Sequence, residues 1–258
     1  MNAYIIEINI RCLNNININN NKKGIKMKKL LISAILLLGS FSMASAELGV
    51  KIGISGNMGV FEATGSESEN GTVTRNVPGD KAEMLGAMGS VFGEVRLGFL
   101  PGPLSRISVG YDHVIHKIQT GTAGRTDIDG DLKGKTNGNH VRFQQTNSVA
   151  ATIDNINTIY AIVNVTDWLF LRAGVMEADI TTEENLATGS DYGNMSVDGQ
   201  VYGAGVAFQT ESGFFMRAEV NETELDGGTL TSTTNADNTV TLAGIDGTTA
   251  RISVGKAF

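Results

Sequence analysis

An alternation of apolar and polar residues recurs eight times along this chain, and few folds accommodate it. A period of two marks a strand whose two faces meet different surroundings. The first run, Leu48 to Val60, sets Leu48, Val50, Ile52, Ile54, Met58 and Val60 against Gly49, Lys51, Gly53, Ser55, Asn57 and Gly59. The last, Thr249 to Phe258, sets Ala250, Ile252, Val254 and Phe258 against Arg251, Ser253 and Gly255. Six more strands are predicted near 86–99, 105–118, 148–165, 168–179, 197–209 and 214–225.

The connections alternate in length. Long polar stretches lie near 64–83, 119–146, 180–196 and 226–247. Between them come short turns at Pro101-Gly102-Pro103, Thr166-Asp167 and Thr210 to Gly213. An even strand number, short turns at one end, long loops at the other and both termini at the short-turn end are what a transmembrane barrel requires. The expected fold is therefore all-β: an eight-stranded antiparallel up-and-down transmembrane β-barrel. A soluble barrel would turn its apolar face inward. Here the other face is rich in glycine and carries isolated charges, which suits a narrow filled interior.

The chain stops on an aromatic residue, Phe258, with apolar residues at alternating positions before it. This resembles the C-terminal signal of bacterial outer-membrane β-barrels. Lys256 departs from that pattern, at a position where an interfacial lysine can lift its ammonium toward water. Nearly all of the sequence after residue 46 is similar to the OmpA-type and Opa-type small barrels. The resemblance implies the outer membrane of a Gram-negative bacterium, surrounded by lipid and lipopolysaccharide. It also implies Phe258 as an assembly signal, with the C-terminal strand presented to the barrel-assembly machinery. Nothing follows Phe258, so the peptidoglycan-binding domain of full-length OmpA-type proteins is not expected. A closed barrel has no free edge strand, so a monomer is expected.

Export is legible separately. Residues 27–46 begin Met27-Lys28-Lys29, continue through an apolar core and end Ala44-Ser45-Ala46. That is the layout of a secretory signal peptide cleaved after Ala46, which is too short for a membrane helix. Residues 1–26, rich in Asn, Ile and Lys, read as translated upstream sequence or an extended leader. The barrel domain is then 47–258. Six of the 20 basic and one of the 27 acidic residues precede the cleavage point, leaving 14 against 26, a net charge of −12. That balance argues against nucleic-acid binding. The one cysteine, Cys12, lies before the signal peptide, so no internal disulfide is possible.

Parity places nine charged residues on the inward face: Lys51, Glu94, Arg96, Arg106, Asp112, Arg172, Arg217, Glu219 and Arg251. The six cations all fall toward the short-turn end. Unpaired buried charge is costly, so these residues are expected to form a lumenal ion-pair network. The first reading of such a network is a plug that fixes strand register. The second is a gate, whose excess of cations would favour anions.

Other motifs carry less. Asp127, Asp129 and Asp131 resemble the start of a calcium loop, but Leu132 and Gly138 stand where that pattern needs glycine and glutamate. His113, His116 and His140 lack the serine two positions on that lipid-modifying barrels use. Tyr111, Tyr202, Phe99, Trp168 and Phe208 fit girdles at the membrane interfaces. No cofactor, metal or catalytic site is expected. The expected role is a non-enzymatic structural or surface-interaction protein with four long extracellular loops, the alternative being a small gated porin-like channel.

Overall fold

A computed structural model of the chain describes residues 49–69, 72–76, 82–119, 123–129, 143–185 and 191–258. The expected leader at 27–46 and the segment 1–26 lie outside these residues. In chain order the strands are β1 (Gly49–Glu69), β2 (Thr72–Asn76), β3 (Ala82–Arg96), β4 (Ile107–Val114), β5 (Ile118–Gln119), β6 (Ala123–Asp129), β7 (Phe143–Asn164), β8 (Leu169–Asn185), β9 (Asn194–Gln209), β10 (Phe214–Thr231) and β11 (Thr239–Ala257). Eight of them, β1, β3, β4 and β7 to β11, pair antiparallel in that order. β11 returns to pair with β1, closing an eight-stranded barrel. β2 extends the hairpin on β1, and β5 and β6 lie on β7.

The stagger is set by the pairing. Gly53 faces Phe92, which faces Asp112, and the walk continues through Thr158, Met176, Gly199, Leu225 and Ile245. Ile245 faces Ala63, ten residues beyond the starting Gly53 on the same strand. A stagger of that size over eight strands goes with a strand tilt of about 40°.

Two expectations need correction. The long connections are largely strand. β1 runs on to Glu69, β8 to Asn185 and β10 to Thr231, and β11 starts at Thr239, so only 232–238 joins the last two. In these extensions few apolar residues recur at alternating positions, so the period-2 signal fades. The threonine-rich stretches keep their strand propensity all the same. Asp226 and Glu183, expected in loops, are strand residues. The Pro101-Gly102-Pro103 turn is not tight either. Leu97 to Arg106 connects β3 to β4 and contains a 3-10 turn, Gly102–Arg106, with Pro101 at its N-cap. Pro101 and Pro103 have no N–H for a ladder, and Gly102 takes a positive φ of 65°. The other two short turns are as expected, at 165–168 and 210–213. Thr166 closes the first, its Oγ1 accepting from the N–H of Leu169 at 2.9 Å. Gly213, at φ 87°, closes the second.

The glycines have a spatial reason. Among the residues whose side chains are described, the large aromatics that turn inward from the barrel strands stand directly opposite glycines on neighbouring strands. Phe92 faces Gly53, Tyr160 faces both Gly110 and Gly174, Phe170 faces Gly205, Phe215 faces Gly255 and Phe61 faces Gly247. A Cβ on Gly53 would stand 2.6 Å from the ring of Phe92, and one on Gly205 would stand 2.6 Å from that of Phe170. The missing side chain makes room for the ring across the strand pair.

Polarity reverses along single strands. On β10 burial alternates without a break from Phe214 to Leu225. The outward residues run Phe214, Met216, Ala218, Val220, then change to Glu222 and Glu224. The inward residues run Phe215, Arg217, Glu219, Asn221, Thr223, then change to Leu225. β8 does the same: Leu169, Leu171, Ala173 and Val175 give way outside to Glu177 and Asp179, while inside Arg172 and Gly174 give way to Met176, Ala178 and Ile180. The inward apolar residues gather in one cluster near the long-loop end, with Val114, Ile153, Ile156, Val197 and Ile245. One end of the barrel is therefore apolar outside and polar inside, and the other end is the reverse.

Candidate functional site

The lumen of the apolar-walled half holds the ion pairs. Arg217 on β10 reaches across the barrel to Glu94 on β3 with both guanidinium nitrogens, Nη1 to Oε1 and Nη2 to Oε2, the latter at 2.5 Å. Tyr160 on β7 donates its hydroxyl to the same Oε1 at 2.9 Å. Arg172 on β8 pairs with Glu219 on β10, Nη1 to Oε1 at 2.8 Å. Arg251 on β11 bridges two acids, Nε to Glu219 Oε1 at 3.1 Å and Nη2 to Asp112 Oδ2 on β4. Ser90 donates to the same Asp112 oxygen at 3.0 Å, and Ser90 is hydrogen-bonded in turn to Ser55 on β1 at 2.6 Å.

Three arginines thus meet three carboxylates, and the joined set is formally neutral. All six are buried, Glu94 at 2% exposure. Rings insulate them. The guanidinium of Arg172 lies 4.0 Å from the centroid of Tyr160, and that of Arg217 lies 4.8 Å from Phe215 and 5.6 Å from Phe170. Low local polarity strengthens the pairs, and it also raises the cost of losing one partner. Seven of the eight barrel strands contribute. β9 contributes small residues instead, Gly203, Gly205 and Ala207, where the facing side chains need space.

Of the nine residues placed inward by parity, the structure joins Glu94, Asp112, Arg172, Arg217, Glu219 and Arg251. Lys51 points into the lumen nearer the short-turn end, with Nζ 5.4 Å from the ring centroid of Phe215. Arg96 and Arg106 do not join. Both are exposed at the short-turn rim, where Arg96 Nε donates to the carbonyl of Ser105 at 3.1 Å and Arg106 Nη1 to that of Val165 at 2.9 Å. Arg96 is the last residue of β3, in the end pairs of its ladders with Gly49 and Ser108, and Arg106 lies in the connection to β4; at these ends parity no longer fixes direction. The expected excess of cations therefore lies outside the joined network. Tyr160 was not singled out by sequence, although it shares a face with Thr158 and Ile162, opposite Ile159 and Ala161. Among the described residues, Arg172 Nε and Asn221 Oδ1 are buried without a hydrogen-bond partner.

The remaining candidates fall elsewhere. His113 faces outward and shares Asn157 Oδ1 with the Tyr111 hydroxyl, at 2.8 and 2.6 Å. His116 Nε2 accepts from the Gly89 N–H at 2.8 Å. Asp127 and Asp129 belong to β6, while Asp131 and His140 lie outside the described residues. Phe258 is 70% exposed, and its N–H donates to Val50 at 2.8 Å. Lys256 answers the departure noted in the sequence: its Nζ stands 4.9 Å from the ring centroid of Phe214 and 5.8 Å from that of Phe258.

No family model and no curated protein matches the chain. Among solved structures it is similar to Ail, the attachment invasion locus protein of Yersinia pestis, in complex with the heparin analogue sucrose octasulfate. That likeness has a TM-score of 0.41 at 11% identity and covers 83% of this chain and 100% of that one. The outer membrane protease OmpT from Escherichia coli gives a TM-score of 0.38 at 10% identity, over 84% and 100%. The toluene transporter TodX of Pseudomonas putida gives 0.26 at 7%, over 82% and 90%.

Proposed function

We propose that this chain is a non-enzymatic integral outer-membrane protein, a closed barrel that presents strand-built extracellular projections as its interaction surface. The observation that carries this reading is the change of polarity along single strands. In the half toward the short turns, Ile54, Val220 and Ile252 are exposed while Arg172, Arg217 and Arg251 are buried. Only an apolar surrounding makes that arrangement favourable. In the half toward the long loops the order is that of a water-soluble sheet. A boundary between lipid and water part-way up the barrel accounts for both halves.

The filled lumen supports a plug over a channel. The ion-pair network occupies the interior inside the apolar wall, and the apolar cluster around Ile153, Ala178 and Val197 packs above it. Function is then left to the parts above the lipid, where β1, β7, β8, β10 and β11 carry their hairpins well past the apolar wall. Fractionation tests the membrane reading. The protein should stay in outer membranes washed with alkaline carbonate or urea and leave only with detergent. Recovery in the wash would overturn it. Planar-bilayer recording tests the plug: steady unitary currents through the native protein would favour the channel.

A further inference from the structure

The apolar wall is not equally tall around the barrel. Each run starts at the short-turn rim, where Phe258 bonds to Val50 and Lys256 pairs with Phe214. On β1 the outward apolar or glycine positions run from Val50 to Val60, ten residues on, and on β3 from Val95 to Leu85, again ten. On β8 the run is Leu169 to Val175, on β9 Phe208 to Tyr202 and on β10 Phe214 to Val220, six residues in each case. At ~3.3 Å per residue and ~40° of tilt, ten steps climb about 25 Å and six about 15 Å. The taller figure matches the usual height of a barrel's lipid-facing band, and the shorter one falls well below it.

Side chains mark the low boundary. Tyr202, last in the run on β9, donates its hydroxyl to Gln200 Oε1 at 2.6 Å, and Glu222 next door accepts from Thr248 at 2.9 Å. Tyr111 on β4 likewise directs its hydroxyl to Asn157. These are the polar-tipped aromatics of an interface, placed low. The tall side is marked differently: the Gly89 N–H of β3 donates to Nε2 of exposed His116 at 2.8 Å, and among the described residues of β1 and β3 no tyrosine stands at the top of the run. Val60 pairs with Leu85 and Met58 with Ala87, all exposed, Leu85 at 73%. Along β1 this patch continues past Gly56 into exposed Ile54 and Ile52 of the wall below it.

We propose that acyl chains of the outer leaflet cover Met58, Val60, Ala87 and Leu85, so that the lipid boundary stands higher against β1 and β3 than against β8 to β10. A short apolar run is met by local thinning of the bilayer, and a long one keeps its full thickness. The barrel therefore imposes a gradient of thickness on its surrounding lipid. This inference rests on the membrane reading above, and its test separates the two.

Single-cysteine variants of the full chain carrying Cys12→Ser are labelled with an environment-sensitive fluorophore and reconstituted in phosphatidylcholine vesicles. Leu85→Cys reports the tall wall. Glu224→Cys, ten residues above Phe214 as Leu85 is ten from Val95, reports the short wall, and Val91→Cys the middle of the band. The probes at 85 and 91 should be quenched by spin-labelled acyl chains and shielded from iodide, and the probe at 224 should show the reverse. If iodide reaches 85 while 91 stays lipid-quenched, the proposal fails and the membrane reading stands. If iodide reaches 91 as well, the membrane reading fails. A probe at 85 shielded from both quenchers, with disulfide-linked dimers of Leu85→Cys, would assign the patch to a second copy and overturn the proposal.

Discussion

Arg217 and Glu94, 123 residues apart in sequence, meet across the lumen as a two-pronged pair. Their side chains are 8% and 1% exposed. The pair ties β10 to β3, strands that are not neighbours in the sheet, so it braces the barrel across its width. Breaking it by Glu94→Ala should cost about 3–5 kcal/mol, because Arg217 is left buried and uncompensated. The double variant Glu94→Leu/Arg217→Met should cost clearly less than the sum of the single changes. Urea unfolding in lipid vesicles measures both. Additive costs would show that the two groups act independently.

Conductance should not follow charge. If the network is a plug, Arg217→Gln lowers stability and leaves planar-bilayer recordings silent. Arg96→Gln, at the exposed rim, should change neither. New unitary currents in Arg217→Gln would show that the lumen is a path held shut by its charges.

The aromatic–glycine pairs predict position-specific overpacking. A Cβ on Gly110 would stand 2.5 Å from the ring of Tyr160, a ring already held by Glu94. Gly110→Ala should destabilise by about 1–3 kcal/mol. Gly56 faces outward, and a Cβ added there would meet nothing within 4 Å. It is the matched control, and Gly56→Ala should be near neutral. Equal effects at the two positions would remove the spatial explanation of the glycines.

Phe258 should matter for delivery more than for stability. Its ring is exposed, and its backbone bond to Val50 survives substitution. Phe258→Ala should lower the amount inserted in cells several-fold while refolding into detergent proceeds normally. A matching loss in both assays would make the ring a structural element instead of an assembly signal.

The eight strands and their facing were legible because an apolar outer wall and a filled polar lumen impose opposite demands on alternate residues, as exposed Ile252 and buried Arg251 show. The joined charges were legible for the same reason: parity alone puts Glu94, Asp112 and Glu219 on the face of Arg172, Arg217 and Arg251. Parity loses its grip where a ladder ends, which is why Arg96 and Arg106 turn to backbone carbonyls of the rim instead. The upper strand extensions were not legible, since Thr229, Thr231, Thr239 and Thr241 carry strand propensity without an apolar period. The inward apolar cluster was hidden because Met176, Ala178 and Ile180 continue a face that begins with Arg172. The reversal becomes visible only when both faces of one strand are followed together.

Heat-modifiable gel mobility of the membrane-extracted protein, read beside circular dichroism in detergent, tests the closed lipid-facing barrel most directly. The account predicts two bands, with the unboiled form at a different position from the boiled one, and a strand-dominated spectrum. A single band from protein recovered in the soluble periplasmic fraction would contradict it.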